Sequence, residues 1–212
     1  MLKRKINVYR WKYSEDSALC NGFKMEDTDM NFENTAIIIM DPWKKTDYKE
    51  ADRQVKENVC KYALPMVRCA LLRGIKVLVF TNTGGGYPTE IVDELQYMID
   101  GKLVKLLYHN DFRCAADFGQ YCERNNICNL IYTGYSIHAC VLFRKVGLIS
   151  MYDSIYRDKI QMYLIPEATL ACVSKLEDEN MAMKRAISIM VSQQMVARII
   201  KFSDFIAYCK DY

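Results

Sequence analysis

The sequence predicts an α/β protein, a three-layer α/β/α sandwich in which helices cover both faces of a mostly parallel sheet. Three observations carry this reading. Short apolar, β-branched runs recur along the chain, and they show little alternation of polar and apolar residues, as strands buried on both faces do. Stretches of helical period separate them. Strand alternating with helix implies right-handed crossovers, and therefore parallel neighbours.

Residues 1–34 read as a less regular segment wrapping the sheet edge. The first strand is Ala36-Ile-Ile-Ile-Met40. A helix from Glu50 to Arg73 follows, with Val55, Val59, Tyr62, Ala63 and Val67 at three-to-four spacing, and Gly74 is its left-handed stop. Ile75–Phe80 is the second strand and Lys102–Tyr108 a weaker third. Phe118, Tyr121 and Cys122 give a helix over Ala115–Asn125, ended at Asn125-Asn126. Asn129–Thr133 is the fourth strand, Ile137–Ser150 a helix, and Ile160–Ile165 a further strand. A last helix spans Glu177 to about Ile200, with Met181, Ala186, Ile189, Met190 and Val196 approximating one face. Five parallel strands are thus the minimum. No linker, repeat or low-complexity stretch divides the 212 residues, which read as a single domain, 1–212.

Composition excludes several classes. Hydrophobic residues make up 51% and charged residues 26%, close to the values for globular proteins, so a folded chain is expected. The net charge of +3 comes from charges spread through the sequence. With Lys3-Arg4-Lys5 as the one notable basic cluster, this is too little for a surface that tracks phosphates, and nucleic acid is not expected as a partner. No apolar run reaches membrane-spanning length, and Met-Leu-Lys-Arg-Lys-Ile-Asn-Val lacks the apolar core of a signal peptide. The expectation is a cytoplasmic protein with no membrane partner. Nine cysteines without a Cys-x-x-Cys pair argue for free thiols. His109 and His138, the two histidines, have no ligand spacing, so neither a metal nor another cofactor is expected.

Ligands of parallel sheets bind beyond the carboxyl ends of the strands. Four segments occupy that position: Asp41-Pro42-Trp43, Thr81-Asn-Thr-Gly-Gly-Gly-Tyr-Pro88, Tyr108-His109-Asn110-Asp111 and Gly134-Tyr-Ser-Ile-His-Ala-Cys140. Each has an ordinary structural explanation. Asp41 suits a cap, a lone histidine suits packing, and cysteine is a common small core residue. The triple glycine lacks the Lys-Ser/Thr of a phosphate loop and the spacing of a dinucleotide loop, which favours a turn with positive φ over nucleotide binding. Cys140 stands apart because it falls in the first turn of a helix that follows a strand. The helix dipole there favours a thiolate, and the backbone amides of the turn face the place where an oxyanion forms. Trp43, Tyr87, Tyr108 and His109, all on these loops, are the candidate substrate-binding residues.

Taken together, Ile37-Ile-Ile-Met-Asp41, the helix and strand from Ala63 to Thr81, Ile131-Tyr-Thr-Gly-Tyr-Ser-Ile-His-Ala-Cys-Val141 and Ile165-Pro-Glu-Ala-Thr169 resemble the isochorismatase-like cysteine hydrolases. The resemblance runs from about Thr35 to about Phe205. It implies a Rossmann-like, six-stranded parallel sheet and a triad of Asp, Lys and Cys. Asp41 takes the role of base and Cys140 that of nucleophile. The resemblance further implies a cis Tyr135-Ser136 bond and an oxyanion hole formed by the amides of Ser136 and Cys140. For the lysine, Lys105 is the nearest candidate; His109 stands at the strand's end as a substitute, and a site with no cation is the remaining possibility. The nicotinamidase metal motif is absent from Thr81–Pro88. The implied function is hydrolysis of a small amide, ureido or carbamoyl substrate through an acyl-thioenzyme, by a homo-oligomer (dimer or tetramer). Two alternatives stand beside it. One is a catalytically weak or inactive member that binds a ligand or builds an oligomer; the other is vinyl ether hydrolysis of the isochorismatase type, in which the cysteine is dispensable.

Overall fold

A computed structural model describes residues 4–13, 20–171, 179–188 and 196–210. In chain order the elements are β1 (Arg4–Tyr13), β2 (Cys20–Met30), β3 (Thr35–Met40), α1 (Lys49–Asn58), α2 (Leu64–Leu72), β4 (Lys76–Thr81), α3 (Asp93–Asp100), β5 (Lys105–Tyr108), α4 (Ala115–Arg124), β6 (Asn129–Tyr135), α5 (Leu148–Tyr152), β7 (Gln161–Leu170), α6 (Glu179–Ile187), β8 (Arg198–Ile199) and α7 (Phe202–Lys210). Among the described residues one sheet takes in every strand, in the order β2-β1-β8-β7-β6-β3-β4-β5. From β8 to β5 all neighbours are parallel, and the β1–β2 hairpin joins antiparallel through Tyr9 and Ile199.

The apolar runs form strands because each is covered twice. In β3 every residue is buried. Ala36, Ile38 and Met40 face a core shared with Phe118 and Cys122 of α4, Met151 of α5 and Ala186 of α6. Ile37 and Ile39 face the other core, built with Val55, Val67, Leu95 and Phe205 of α1, α2, α3 and α7. Burying an aliphatic side chain of this size contributes about 1.5–3 kcal/mol, so a β3 covered on both faces is the anchor of the sheet. Among the described residues no helix is long and apolar enough to cross a membrane.

Several expectations are corrected. Among the described residues the sheet has eight strands, six in the parallel part and two, β1 and β2, in the stretch for which a less regular segment was expected. Ile6 and Val8 are buried while Lys5 is exposed, so β1 has one apolar face. The helix expected over Ile137–Ser150 is broken into a five-residue turn, Ile137–Val141, and α5. Gly147 packs at the break so closely that a Cβ there would lie 2.8 Å from the Leu142 carbonyl oxygen. Of the helix expected from Glu177 to Ile200, α6 is present; Ile189 and Met190 lie outside the described residues, and Arg198–Ile199 is a strand. Helices α3 and α7 went unread.

Candidate active site

The parallel register sets Met40 beside Phe80 and Gly134, and Thr81 beside Tyr108. Four strand ends therefore open on one edge. Asp41 leaves β3 with φ 45°, a left-handed conformation that Asp tolerates better than most residues, and its N–H donates to the Phe80 carbonyl at 3.0 Å. This turn directs the carboxyl inward, where Asp41 is fully buried. His109, at the end of β5, donates from Nε2 to Asp41 Oδ1 at 2.8 Å and stacks on Phe80 with ring centroids 5.7 Å apart. Asp41 Oδ2 has no hydrogen-bond partner, and neither has His109 Nδ1.

On β6, Gly134 has φ 109°, and a Cβ there would sit 2.1 Å from the Met40 carbonyl oxygen. Only glycine admits that approach of two strands. The Tyr135-Ser136 bond is cis, as the resemblance implied. The turn Ile137–Val141 then brings Cys140, buried, to face the Asp41 carboxyl and the Arg144 guanidinium. Arg144 Nε lies 4.0 Å from Asp41 Oδ2, and the Arg144 N–H donates to the Cys140 carbonyl at 3.3 Å.

Burial first, and then the Asp41 carboxylate, push the Cys140 thiol up to about 12, while Arg144 opposes them. This reverses the expectation of a thiolate favoured by a helix dipole. The turn is only five residues long and kinks at His138, with φ −87° and ψ 15°, so few peptide dipoles align behind the sulfur. Desolvation and a neighbouring negative charge outweigh them.

Above the thiol lies a cleft of about 420 Å³ with Trp43, Tyr87, Tyr135 and Phe143 on its walls and Ser136, Cys140 and Arg144 at its polar base. The Trp43 indole N–H donates to Thr81 Oγ1 at 3.2 Å and the ring meets Tyr135 edge-on. Gly84, Gly85 and Gly86 all have positive φ, as the turn reading of the triple glycine requires. They deliver Tyr87, whose ring lies 5.3 Å from the Arg144 guanidinium carbon.

Of the nominated residues, Asp41, Cys140, Ser136, Trp43 and Tyr87 come together here. Tyr108 does not line this cleft, and His109 contacts Asp41 from the protein interior instead of lining the wall. Lys105 is corrected outright. It pairs with Leu78 at the start of β5, roughly 10 Å back along the strand from the site edge, and its ammonium lies over Tyr121 at 4.9 Å. The strand runs on to Tyr108, so His109 holds the position for which Lys105 was the first candidate. Arg144 went unread. Its signal was the i+4 spacing from Cys140, which places two residues on one helical face.

Solved structures that share this architecture include a cysteine hydrolase, an isochorismatase and a nicotinamidase. A cysteine hydrolase from Pseudomonas syringae pv. phaseolicola matches at 10% identity and a TM-score of 0.59, over 85% of this chain and 94% of that one. YcaC of Escherichia coli, described as an octameric hydrolase of unknown specificity, matches at 13% and 0.58, over 84% and 80%. The MAR1 ribonuclease of Caenorhabditis elegans matches at 15% and 0.57, over 86% and 84%. The fold is that of the isochorismatase-like cysteine hydrolases. By sequence, no protein-family model and no curated protein matches the chain.

Proposed function

We propose that the protein is a cysteine hydrolase acting on a small amide, ureido or carbamoyl compound through an acyl-thioenzyme. The observation that carries this reading is the pairing at the base of the cleft: a buried thiol faces a buried carboxylate whose one oxygen is held by His109 and whose other is unpartnered. Oδ2 is thus the atom that takes the Cys140 proton. The thiolate attacks the carbonyl carbon, a C–S bond forms, and the carbonyl electron pair moves onto oxygen, facing the Ser136 and Cys140 amides. Collapse breaks the C–N bond, and the leaving nitrogen takes the proton back from Asp41. Water, deprotonated by the same carboxylate, then attacks the thioester carbon; the C–S bond breaks, the acid leaves, and the proton on Asp41 returns to the Cys140 sulfur. The aromatic walls favour a substrate with a flat, apolar body. The octameric state given for YcaC supports a homo-oligomer here as well.

The test is ammonia or amine release from a panel of small aryl and alkyl amides, ureas and carbamoyl compounds, with mass spectrometry of the trapped enzyme. A mass increment on Cys140 is expected, and Asp41→Asn should lower turnover about 10³-fold. Hydrolysis undiminished in Cys140→Ala overturns the nucleophile and favours chemistry in which the cysteine is dispensable. A reactive Cys140 with no turnover across the panel favours a ligand-binding member instead.

A further inference from the structure

Lys105 is at the wrong end of its strand to supply the positive charge of the site, and two other residues stand around Asp41. One of them, His109, reaches Oδ1 only. The other, Arg144, faces Oδ2 at 4.0 Å and the thiol of Cys140 as well. Beyond these two and the Tyr87 ring, the Arg144 side chain has no polar or ring partner among the described residues. Its side chain is 27% exposed, on the base of the cleft.

We propose that Arg144 is the counter-ion of the site, paired with the Asp41 carboxylate at rest and with the Cys140 thiolate once the proton has moved. This rests on the cysteine-hydrolase reading and assigns it a residue. The step balances. The S–H proton passes to Asp41 Oδ2, the bonding pair stays on sulfur, and the carboxylate becomes a neutral acid. The cluster keeps its net charge, and the guanidinium turns from an oxygen to a sulfur anion that it already faces. An arginine suits this place because it keeps its charge in proteins. The pairing at rest is loose, at 4.0 Å without a hydrogen bond to Oδ2, so little is broken when the partner changes.

Two charged groups act on the sulfur directly, Asp41 and Arg144, and the other titratable groups stand around them, Tyr135 on the cleft wall among them. Asp41 stands at the end of β3, with His109 at the end of β5 acting through it. Arg144 follows on the same segment of chain, Tyr87 lies beyond Arg144, and His138 is on the sulfur's own turn. Arg144 is the one among them that carries a fixed positive charge.

The test is the rate of Cys140 alkylation by iodoacetamide and by iodoacetate from pH 6 to 11, resolved by peptide mass spectrometry on the full chain. In each reaction the thiolate displaces iodide. Removing the cation in Arg144→Gln should move the profile to higher pH and slow the reaction at pH 8 about 10-fold or more. It should also abolish any preference for the anionic reagent. Arg144→Lys, which keeps the charge, should retain most of both, and it serves as the folding control. A profile and reagent preference unchanged in Arg144→Gln, with Cys140 still reactive, overturns Arg144 alone. A wild-type Cys140 that is inert at every pH while exposed Cys60 and Cys114 react takes down the cysteine-hydrolase reading and this proposal with it.

Discussion

Burial and the Asp41 charge push the Cys140 thiol up to about 12, so at pH 7 it rests protonated. A nucleophile so placed depends on its base, and this gives Asp41 two opposing effects. Its charge raises the Cys140 value, and its free oxygen accepts the proton. Asp41→Asn should therefore move the alkylation profile of Cys140 to lower pH while turnover falls, a shift opposite in sign to that of Arg144→Gln. Profiles moving the same way in both variants would show that direct charge effects do not govern the thiol. His109 acts through Asp41 and is a positioning residue. His109→Leu leaves a buried carboxylate oxygen unpaired, at a cost of about 1–3 kcal/mol or more. It should lower kcat about 10²-fold with little change in KM, whereas His109→Gln, which keeps a donor, should recover part of it. A loss confined to KM would place His109 on the substrate instead. Asp41 and Cys140 were readable from their places after apolar runs. Arg144 was not, because its i+4 spacing from Cys140 puts the two on one face without saying that this face meets a carboxylate from another strand.

Strand β6 depends on its glycine. Gly134 combines φ 109° with backbone of β3 that a Cβ would approach to 2.1 Å, so Gly134→Ala strains the conformation and parts the two strands that carry Asp41 and Cys140. A loss of about 3 kcal/mol or more in denaturant unfolding is expected, with turnover lost before the fold. Gly84→Ala, at φ 126° with open space around it, tests a different matter. It strains the loop without a clash, and the expected effect is a higher KM through a displaced Tyr87; unchanged kinetics would remove Tyr87 from the cleft wall. The β-branched runs showed themselves because both faces of a central strand are apolar. The β1–β2 hairpin carries its signal in the alternation of buried Ile6 and Val8 with exposed Lys5, which a search for continuous apolar runs passes over. The break near Gly147 was hidden for another reason, since helical period continues through it while close packing on the Leu142 carbonyl interrupts the chain.

Over the entire fold, buried thiols link stability to pH. Cys122, Cys140 and Cys209 are all pushed up to about 12, each by burial first. A group with a raised native value contributes its full stability below the unfolded value, near 9, and loses it as pH rises through the native one. Unfolding free energy should therefore fall between pH 9 and about 12, and Cys122→Ala should shallow that fall; a flat profile over this window would mean that the thiols are hydrated in the native state. The strands β3 to β7, the helical periods of α1, α2 and α4 between them, the places where chemistry was to be sought, and two members of the site were written in the chain, because burial period and turn chemistry are local. The cation was not. Whether Lys105 or His109 meets Asp41 depends on the register of β5 against β4, and whether Arg144 meets it depends on how a five-residue turn kinks at His138. Both are set by packing between segments remote in sequence, which local propensity does not encode.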